Sequence, residues 1–147
     1  GPRNHPDPAG PPPRVEGRRI GKSWEKVIAD RQGLKVSNAS RNRVLGETVR
    51  EARSLFSRMK GLLGIAGLSA GDGLWICPCK SIHSFGMRFV FDALFLGPDL
   101  KVLGKYERFR RNRISRVFWN ARGVLELPAG TIGRTGTEVG DEIEFRA

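Results

Sequence analysis

The segment Phe85–Leu96 reads FGMRFVFDALFL, and it constrains the fold class more than any other part of the chain. Every second position is apolar, which predicts an extended strand with one face made of Phe85, Met87, Phe89, Phe91, Ala93 and Phe95. The opposite face carries Gly86, Arg88, Val90, Asp92, Leu94 and Leu96. Alternation over this length is typical of a long β-strand and not of a helix.

Shorter segments of the same kind surround this one, each bounded by turn-forming residues. The predicted strands are Leu34–Val36, Arg43–Leu45, Gly73–Cys77, Leu100–Leu103, Gly123–Leu127 and Glu142–Phe145. Gly97-Pro98-Asp99 is typical of a turn, and Thr131–Thr135 indicates a short helical turn. We therefore predict a mainly β fold, a small antiparallel β-sandwich or barrel-like domain.

One amphipathic helix is expected to pack on this sheet. Thr48-Val49-Arg50-Glu51 has the form of a capping box, the usual start of a helix. Apolar residues then recur at helical spacing up to Gly64, a natural stop, at Ala52, Leu55, Phe56, Met59, Leu62 and Leu63.

The composition divides the chain into a tail and a domain. Residues 1–33 are basic and begin with a stretch rich in Pro and Gly, which indicates a disordered or loosely attached tail. Residues 34–147 are predicted to form a single β-rich domain. No apolar run approaches the roughly 18 residues of a membrane span. Two closely spaced cysteines favour a reducing compartment such as the cytoplasm, and the initial Gly-Pro leaves open that a signal peptide has been removed.

Four ordered blocks of the sequence resemble a known family. They are Arg58–Gly64 (RMKGLLG), Ser81–Gly97 (SIHSFGMRFVFDALFLG), Gly123–Gly130 (GVLELPAG) and Val139–Asp141 (VGD). These blocks are similar to those of the uncharacterised prokaryotic family called domain of unknown function 192, in its Ile-His-Thr-Phe-Gly-Met variant. The resemblance implies a small β-rich fold of the sandwich type, and it implies no established activity, substrate or catalytic residue.

Asp92 is the most informative polar residue. Strand alternation places its carboxylate among aliphatic side chains, where an acid must be paired or hydrogen-bonded. One interpretation is a polar pocket formed by His83, Arg88, Asp92 and Glu126. The alternative is a structural carboxylate that Arg88 or loop amides hold in place.

A metal site is a further hypothesis. Cys77, Cys79 and His83 supply two thiols and an imidazole, which are suitable ligands for zinc or copper. The C-x-C spacing is tight for a structural zinc site and a fourth ligand is missing, so packing cysteines are the alternative. No cofactor is predicted, and a metal ion is left open.

Residues 105–119 form a candidate binding surface in which arginines alternate with aromatic residues. Residues 105–122 carry seven Lys/Arg against one Asp/Glu, in a chain whose net charge is +11. Phosphate groups of nucleic acid or an anionic membrane surface would suit the arginines Arg108, Arg110, Arg111, Arg113 and Arg116. The alternative is a solvated loop whose aromatic side chains pack on the domain.

Three functions are compatible with these residues. The preferred one is a binding or accessory module with a pocket near His83 and Asp92 for a small ligand, a peptide or a partner protein. The second is a binder of nucleic acid or another polyanion through residues 105–119. The third is a metal-assisted or acid–base enzyme that uses Cys77, Cys79, His83 and Asp92, although no catalytic motif names a reaction.

Overall fold

The computed structural model describes residues 33–52 and 68–147 of the chain. In this part of the chain the strands are β1 (Leu34–Asn38), β2 (Arg43–Ala52), β3 (Asp72–Ile76), β4 (Phe91–Leu96), β5 (Val102–Phe109), β6 (Gly123–Pro128) and β7 (Ile143–Arg146). A short helix, α1 (Thr131–Thr135), precedes β7. The predicted mainly β fold is confirmed.

The strands form one curled sheet in the order β5-β4-β6-β3-β2-β1-β7. Neighbours are antiparallel except β2 and β3, which run parallel, so the sheet is mixed. Its two edges approach each other where Lys101 bridges Glu142 and where the amide of Val102 donates to the carbonyl of Asp141 at 2.9 Å. The sheet therefore curves into a half-barrel.

The curvature gives the sheet two different faces. The concave face holds the inner cluster, a hydrophobic core that includes Trp75, Leu94, Leu125 and Ile132. The convex face of β4 and β6 holds the outer cluster, which includes Phe91, Phe95 and Val124 and is covered by loops. Every residue of β4 is buried because both faces of this strand are covered.

Several predicted elements are confirmed. The hairpin of β1 and β2 pairs Val36 with Gly46 and Asn38 with Arg43. The predicted strands at Gly73–Cys77 and Gly123–Leu127 correspond to β3 and β6, and the predicted helical turn at Thr131–Thr135 is α1. The Gly97-Pro98-Asp99 turn closes a hairpin of β4 and β5, with the amide of Leu100 donating to the carbonyl of Gly97 at 2.9 Å.

The capping box predicted at Thr48–Glu51 is wrong. These residues belong to β2, where Thr48 pairs with Asp72 and Glu51 pairs with Trp75. The β-branched residues Thr48 and Val49 suit a strand, and hydrogen bonding to β3 outweighs the local helix signal. The remainder of the predicted helix, up to Gly64, lies outside the described residues, as does the predicted tail except for Gly33.

The predicted strand Phe85–Leu96 is correct only from Phe91 onward. Residues 85–90 form turns and bends, with Gly86 at a φ of 80° and the amide of Met87 donating to the carbonyl of Ser84 at 3.2 Å. Glycine adopts this left-handed conformation without steric cost. The chain therefore turns at Gly86, and the strand begins only at Phe91. Met87 and Phe89 still pack on the outer cluster, which explains the alternating pattern.

Residues 105–119, for which a solvated loop is the alternative to a binding surface, begin as a strand, because β5 continues to Phe109. Among the described residues, no helix is long and apolar enough to cross a membrane.

Candidate functional site: two paired loops on the convex face

Asp92 holds two elements together and does not line an open pocket. Its side chain is fully buried on the concave side of β4. Oδ1 accepts a hydrogen bond from the amide of Arg108 and Oδ2 accepts one from the amide of Ile132, each at 2.8 Å. The carboxylate thus connects the end of β5 to α1. Arg108 has a φ of 51°, next to a register shift between β4 and β5, so Asp92 stabilises a strained bulge.

Glu126 is also fully buried, but the structure does not bring it to Asp92. Asp92 pairs with Leu127, whereas Glu126 pairs with Ala93 on one side and Leu74 on the other. Because neighbouring residues of a strand point to opposite faces, the two carboxylates lie on opposite sides of the sheet. Leu127 belongs to the inner cluster and Ala93 to the outer cluster, in agreement with this arrangement.

His83 and Arg88, the other two residues of the predicted pocket, lie on a loop over the convex face. His83 forms a β-bridge with Ile114, and its ring centroid is 5.4 Å from that of Phe85. Arg88 is exposed. The four predicted pocket residues therefore fall into different surroundings, two on the loop and two buried on either side of the sheet.

The proposed metal ligands diverge as well. Cys77 packs against the inner cluster and Cys79 against the outer cluster. The thiol of Cys79 donates to the carbonyl of Ser81 at 3.0 Å. Burial raises the pKa of Cys77 to about 11, with smaller contributions from Glu51 and Cys79, so this thiol is protonated at neutral pH. The described residues contain no group of three or more His, Cys, Asp or Glu side chains placed to hold a metal ion.

The most organised polar structure on the convex face joins residues 80–90 to residues 110–119, which we call the paired loops. Ser84 is buried at their centre. Its amide donates to the carbonyl of Arg113 at 2.8 Å, and its Oγ accepts from the amide of Arg113 at 2.9 Å. The same hydroxyl donates to the carbonyl of Arg110, and the carbonyl of Ser84 accepts from the amide of Asn112 at 3.2 Å.

Ser115, a second buried serine, also joins the two loops by hydrogen bonds. The Oγ of Ser115 accepts from the amide of Ile82 at 2.9 Å, and the amide of Ser115 donates to the carbonyl of Ile82 at 2.8 Å. The amide of Phe118 donates to the carbonyl of Lys80 at 2.8 Å. The paired loops thus resemble an irregular two-stranded ribbon with a defined backbone.

Aromatic side chains attach the ribbon to the sheet. Phe118 stacks on Phe95 of β4, with ring centroids 4.3 Å apart and planes at 24°. The hydroxyl of Tyr106 on β5 accepts from the amide of Arg116 at 3.0 Å. Gly104 permits this approach, since a Cβ at that position would collide with the ring of Phe118.

The outward side of the paired loops combines cations with apolar side chains. Arg110, Arg111, Arg113 and Arg116 are exposed, as is Arg88. Exposed apolar side chains lie among them, with exposed fractions of 75% for Trp119, 69% for Ile114, 51% for Phe85 and 39% for Val117. Arg108 is exposed as well, but it belongs to β5 and not to the paired loops, and its backbone amide donates to Asp92.

Sequence reasoning missed the two serines that join the loops, Ser84 and Ser115. The available signal was a serine between His83 and Phe85, directly before the predicted strand, since a buried hydroxyl requires hydrogen-bonding partners. The identity of those partners, nearly thirty residues further along the chain, could not be read from the spacing.

Comparison with known proteins agrees with this architecture. The family described as "Uncharacterized ACR", DUF192, matches residues 35–145. The chain belongs to the DUF192 family. No curated protein matches the DUF192 chain.

Two crystal structures share the DUF192 fold seen here. A protein of unknown function from Novosphingobium aromaticivorans DSM 12444 superposes with a TM-score of 0.64 at 21% identity, over 76% of this chain and 83% of its own. A protein from Sinorhizobium meliloti 1021, described as a candidate transcription regulator, superposes with a TM-score of 0.63 at 24% identity. The match covers 76% of this chain and 91% of that protein. At these identities the likeness concerns the fold alone.

Proposed function

We propose that this DUF192 chain is a binding module that recognises a polyanionic ligand through the paired loops. The observation that carries the proposal is a one-sided charge distribution on a fixed backbone. The paired loops together contain six Lys/Arg and no Asp/Glu. Such a surface attracts phosphate-rich or otherwise anionic partners and accelerates their association.

The hydrogen bonds of Ser84 and Ser115 support this proposal. Each serine bonds the loop that carries the arginines to the loop that carries His83 and Arg88. Because the backbone is already ordered, fewer degrees of freedom are lost when a ligand binds. Binding residues on loops that a rigid scaffold positions are the common arrangement in proteins.

The alternatives have less support from the geometry. Both oxygens of Asp92 accept backbone amides, and Glu126 lies across the sheet, so a shared polar pocket lacks its two acids. The raised pKa of Cys77 disfavours a reactive thiolate. The structure from Sinorhizobium meliloti is described as a candidate transcription regulator, and this adds DNA to the anionic ligands to be tested.

Elution from immobilised heparin against a salt gradient tests the proposal. The loop variant replaces Arg110, Arg111, Arg113 and Arg116 with glutamine. A matched charge control replaces four exposed cations outside the paired loops, Arg43, Arg50, Lys101 and Arg134, and so removes the same number of charges. We expect the loop variant to elute at clearly lower salt than the charge control. Equal elution of the two variants would show that net charge alone explains retention.

A further inference from the structure

Resting on the proposed function, we infer that the polyanion is an anionic lipid surface, into whose interfacial region the paired loops insert apolar side chains while their arginines contact the headgroups. The described residues have five exposed large hydrophobic side chains, and four of them lie on the paired loops. Exposed apolar side chains gathered in one region mark interaction surfaces, whereas scattered ones need no explanation.

Two of these apolar side chains, Phe85 and Ile114, lie beside His83 in the part of the paired loops that we call the tip. The His83–Ile114 bridge places these two residues side by side, and the ring of Phe85 packs against the ring of His83. Arg113 directly precedes Ile114, and Arg110 and Arg111 lie in the turn around Ser84. The tip thus presents an apolar centre with cationic neighbours.

The chemistry of these residues favours a bilayer over a nucleic acid. Proteins that bind single strands stack the bases on aromatic rings, which Phe85 and Trp119 supply, but the equally exposed aliphatic side chains of Ile114 and Val117 have no role in such stacking. Aliphatic and aromatic side chains both gain free energy at the boundary of headgroups and acyl chains, where tryptophan is enriched. Arginine suits the same position, because its aliphatic stem lies along apolar surface while the guanidinium reaches the phosphate.

The cations and the apolar side chains therefore have separate and measurable roles. Each arginine near an anionic leaflet raises the partition coefficient about fivefold. Burial of an isoleucine or phenylalanine side chain is expected to add at least about tenfold. A lipid surface requires both contributions, whereas binding to heparin requires only the first.

Co-sedimentation of the full chain with vesicles tests this inference. The probes are vesicles of phosphatidylcholine alone, vesicles of phosphatidylcholine with phosphatidylglycerol, and a labelled single-stranded oligonucleotide at the same salt. The apolar variant Phe85→Ser/Ile114→Ser is compared with Val139→Ser, which removes an exposed apolar side chain far from the paired loops in sequence. We expect the anionic vesicles to bind more tightly than either other probe. This binding should fall at least about a hundredfold in the apolar variant, which lacks two apolar side chains, and should be unchanged in Val139→Ser.

The outcomes separate this inference from the proposed function. If the apolar variant loses vesicle binding but keeps native retention on heparin, both the proposed function and the lipid surface are supported. Binding of the oligonucleotide without binding of anionic vesicles would overturn the lipid surface and leave the proposed function intact. Absence of binding to every probe would overturn both. A blue shift of tryptophan emission with anionic vesicles that disappears in Trp119→Phe would place the insertion at the paired loops.

Discussion

At the scale of single residues, buried polar side chains in this DUF192 chain serve as connectors. Asp92 is the clearest case, because an acid enclosed by apolar residues is tolerable only when its oxygens accept hydrogen bonds. Two backbone amides meet that requirement, from Arg108 and Ile132. The sequence established that Asp92 needed partners, but it could not identify them, since they come from positions 16 and 40 residues away.

Replacing Asp92 with asparagine should be strongly destabilising. The asparagine side chain has one acceptor oxygen, and its NH₂ group would face the second backbone N–H. Either the amide of Arg108 or that of Ile132 therefore loses its acceptor. We expect a loss of about 2–4 kcal/mol in the free energy of unfolding, measured by urea denaturation. The control is Asp99→Asn at the exposed turn, where the change should stay below about 0.5 kcal/mol. Equal effects at both positions would contradict the connecting role of Asp92.

Asp141 makes stability depend on pH. Burial opposes its ionisation, but hydrogen bonds from Arg41, Asn38 and the amide of Glu138 outweigh burial and hold the pKa of Asp141 below its ordinary value. A depressed pKa in the folded state adds stability above the unfolded pKa of about 3.9, and this stability is lost as pH falls through the folded pKa.

The Asp141→Asn variant should therefore be less stable than the native chain at pH 7, by about 1–3 kcal/mol. The difference should shrink as pH falls below about 4, because protonated Asp141 no longer has its charge-assisted hydrogen bonds. Urea denaturation of both proteins between pH 2 and pH 7 checks this. A difference that stays constant with pH would mean that the carboxylate contributes through shape and not through charge.

At the scale of elements, the strands could be predicted and the paired loops could not. Alternation and turn residues locate β3, β4 and β6, because local patterning reports burial on the two faces of a strand. The same alternation extends through Phe85–Val90, since Met87 and Phe89 pack on the outer cluster without forming a strand. The pairing of Ser84 with residues 110–113, and of β2 with β3 at Thr48, depends on distant partners that local patterns do not encode.

The close approach of Phe118 to Gly104 should be needed to hold residues 110–119 on the sheet. In Gly104→Ala the new Cβ would displace the ring of Phe118 from its stack on Phe95. We expect a loss of about 1–3 kcal/mol in stability and faster amide hydrogen exchange across residues 110–118. In Gly133→Ala on α1 the added Cβ meets only a flexible carboxylate at 3.3 Å, so both properties should stay close to native. Unchanged exchange in Gly104→Ala would contradict the attachment.

Ser84→Ala tests the joint between the two loops. The hydroxyl accepts from the amide of Arg113 and donates to the carbonyl of Arg110, and alanine leaves both groups unsatisfied. We expect about 1–3 kcal/mol of destabilisation and weaker retention on heparin, because the arginines lose their fixed backbone. Serine at position 69 is exposed and lies outside the loops, so Ser69→Ala should change neither quantity.

At the scale of the whole molecule, charge and fold contribute differently to binding. The net charge of +11 provides a weak attraction for any polyanion. The half-barrel adds a rigid convex face on which two loops gather cations without intervening acids. Family membership and the shared fold of two crystal structures are consistent with such a scaffold and assign no ligand to it.

The most direct measurement is an amide chemical-shift map, recorded by NMR while the labelled protein is titrated with short heparin fragments. If the paired loops are the binding surface, the perturbed amides should lie within residues 80–90 and 110–119. Amides around Arg43 and Arg50 on β2 should remain unchanged, although these arginines are exposed as well. Perturbations spread evenly over all exposed cations, or centred on β2, would contradict the assignment of the binding surface to the paired loops.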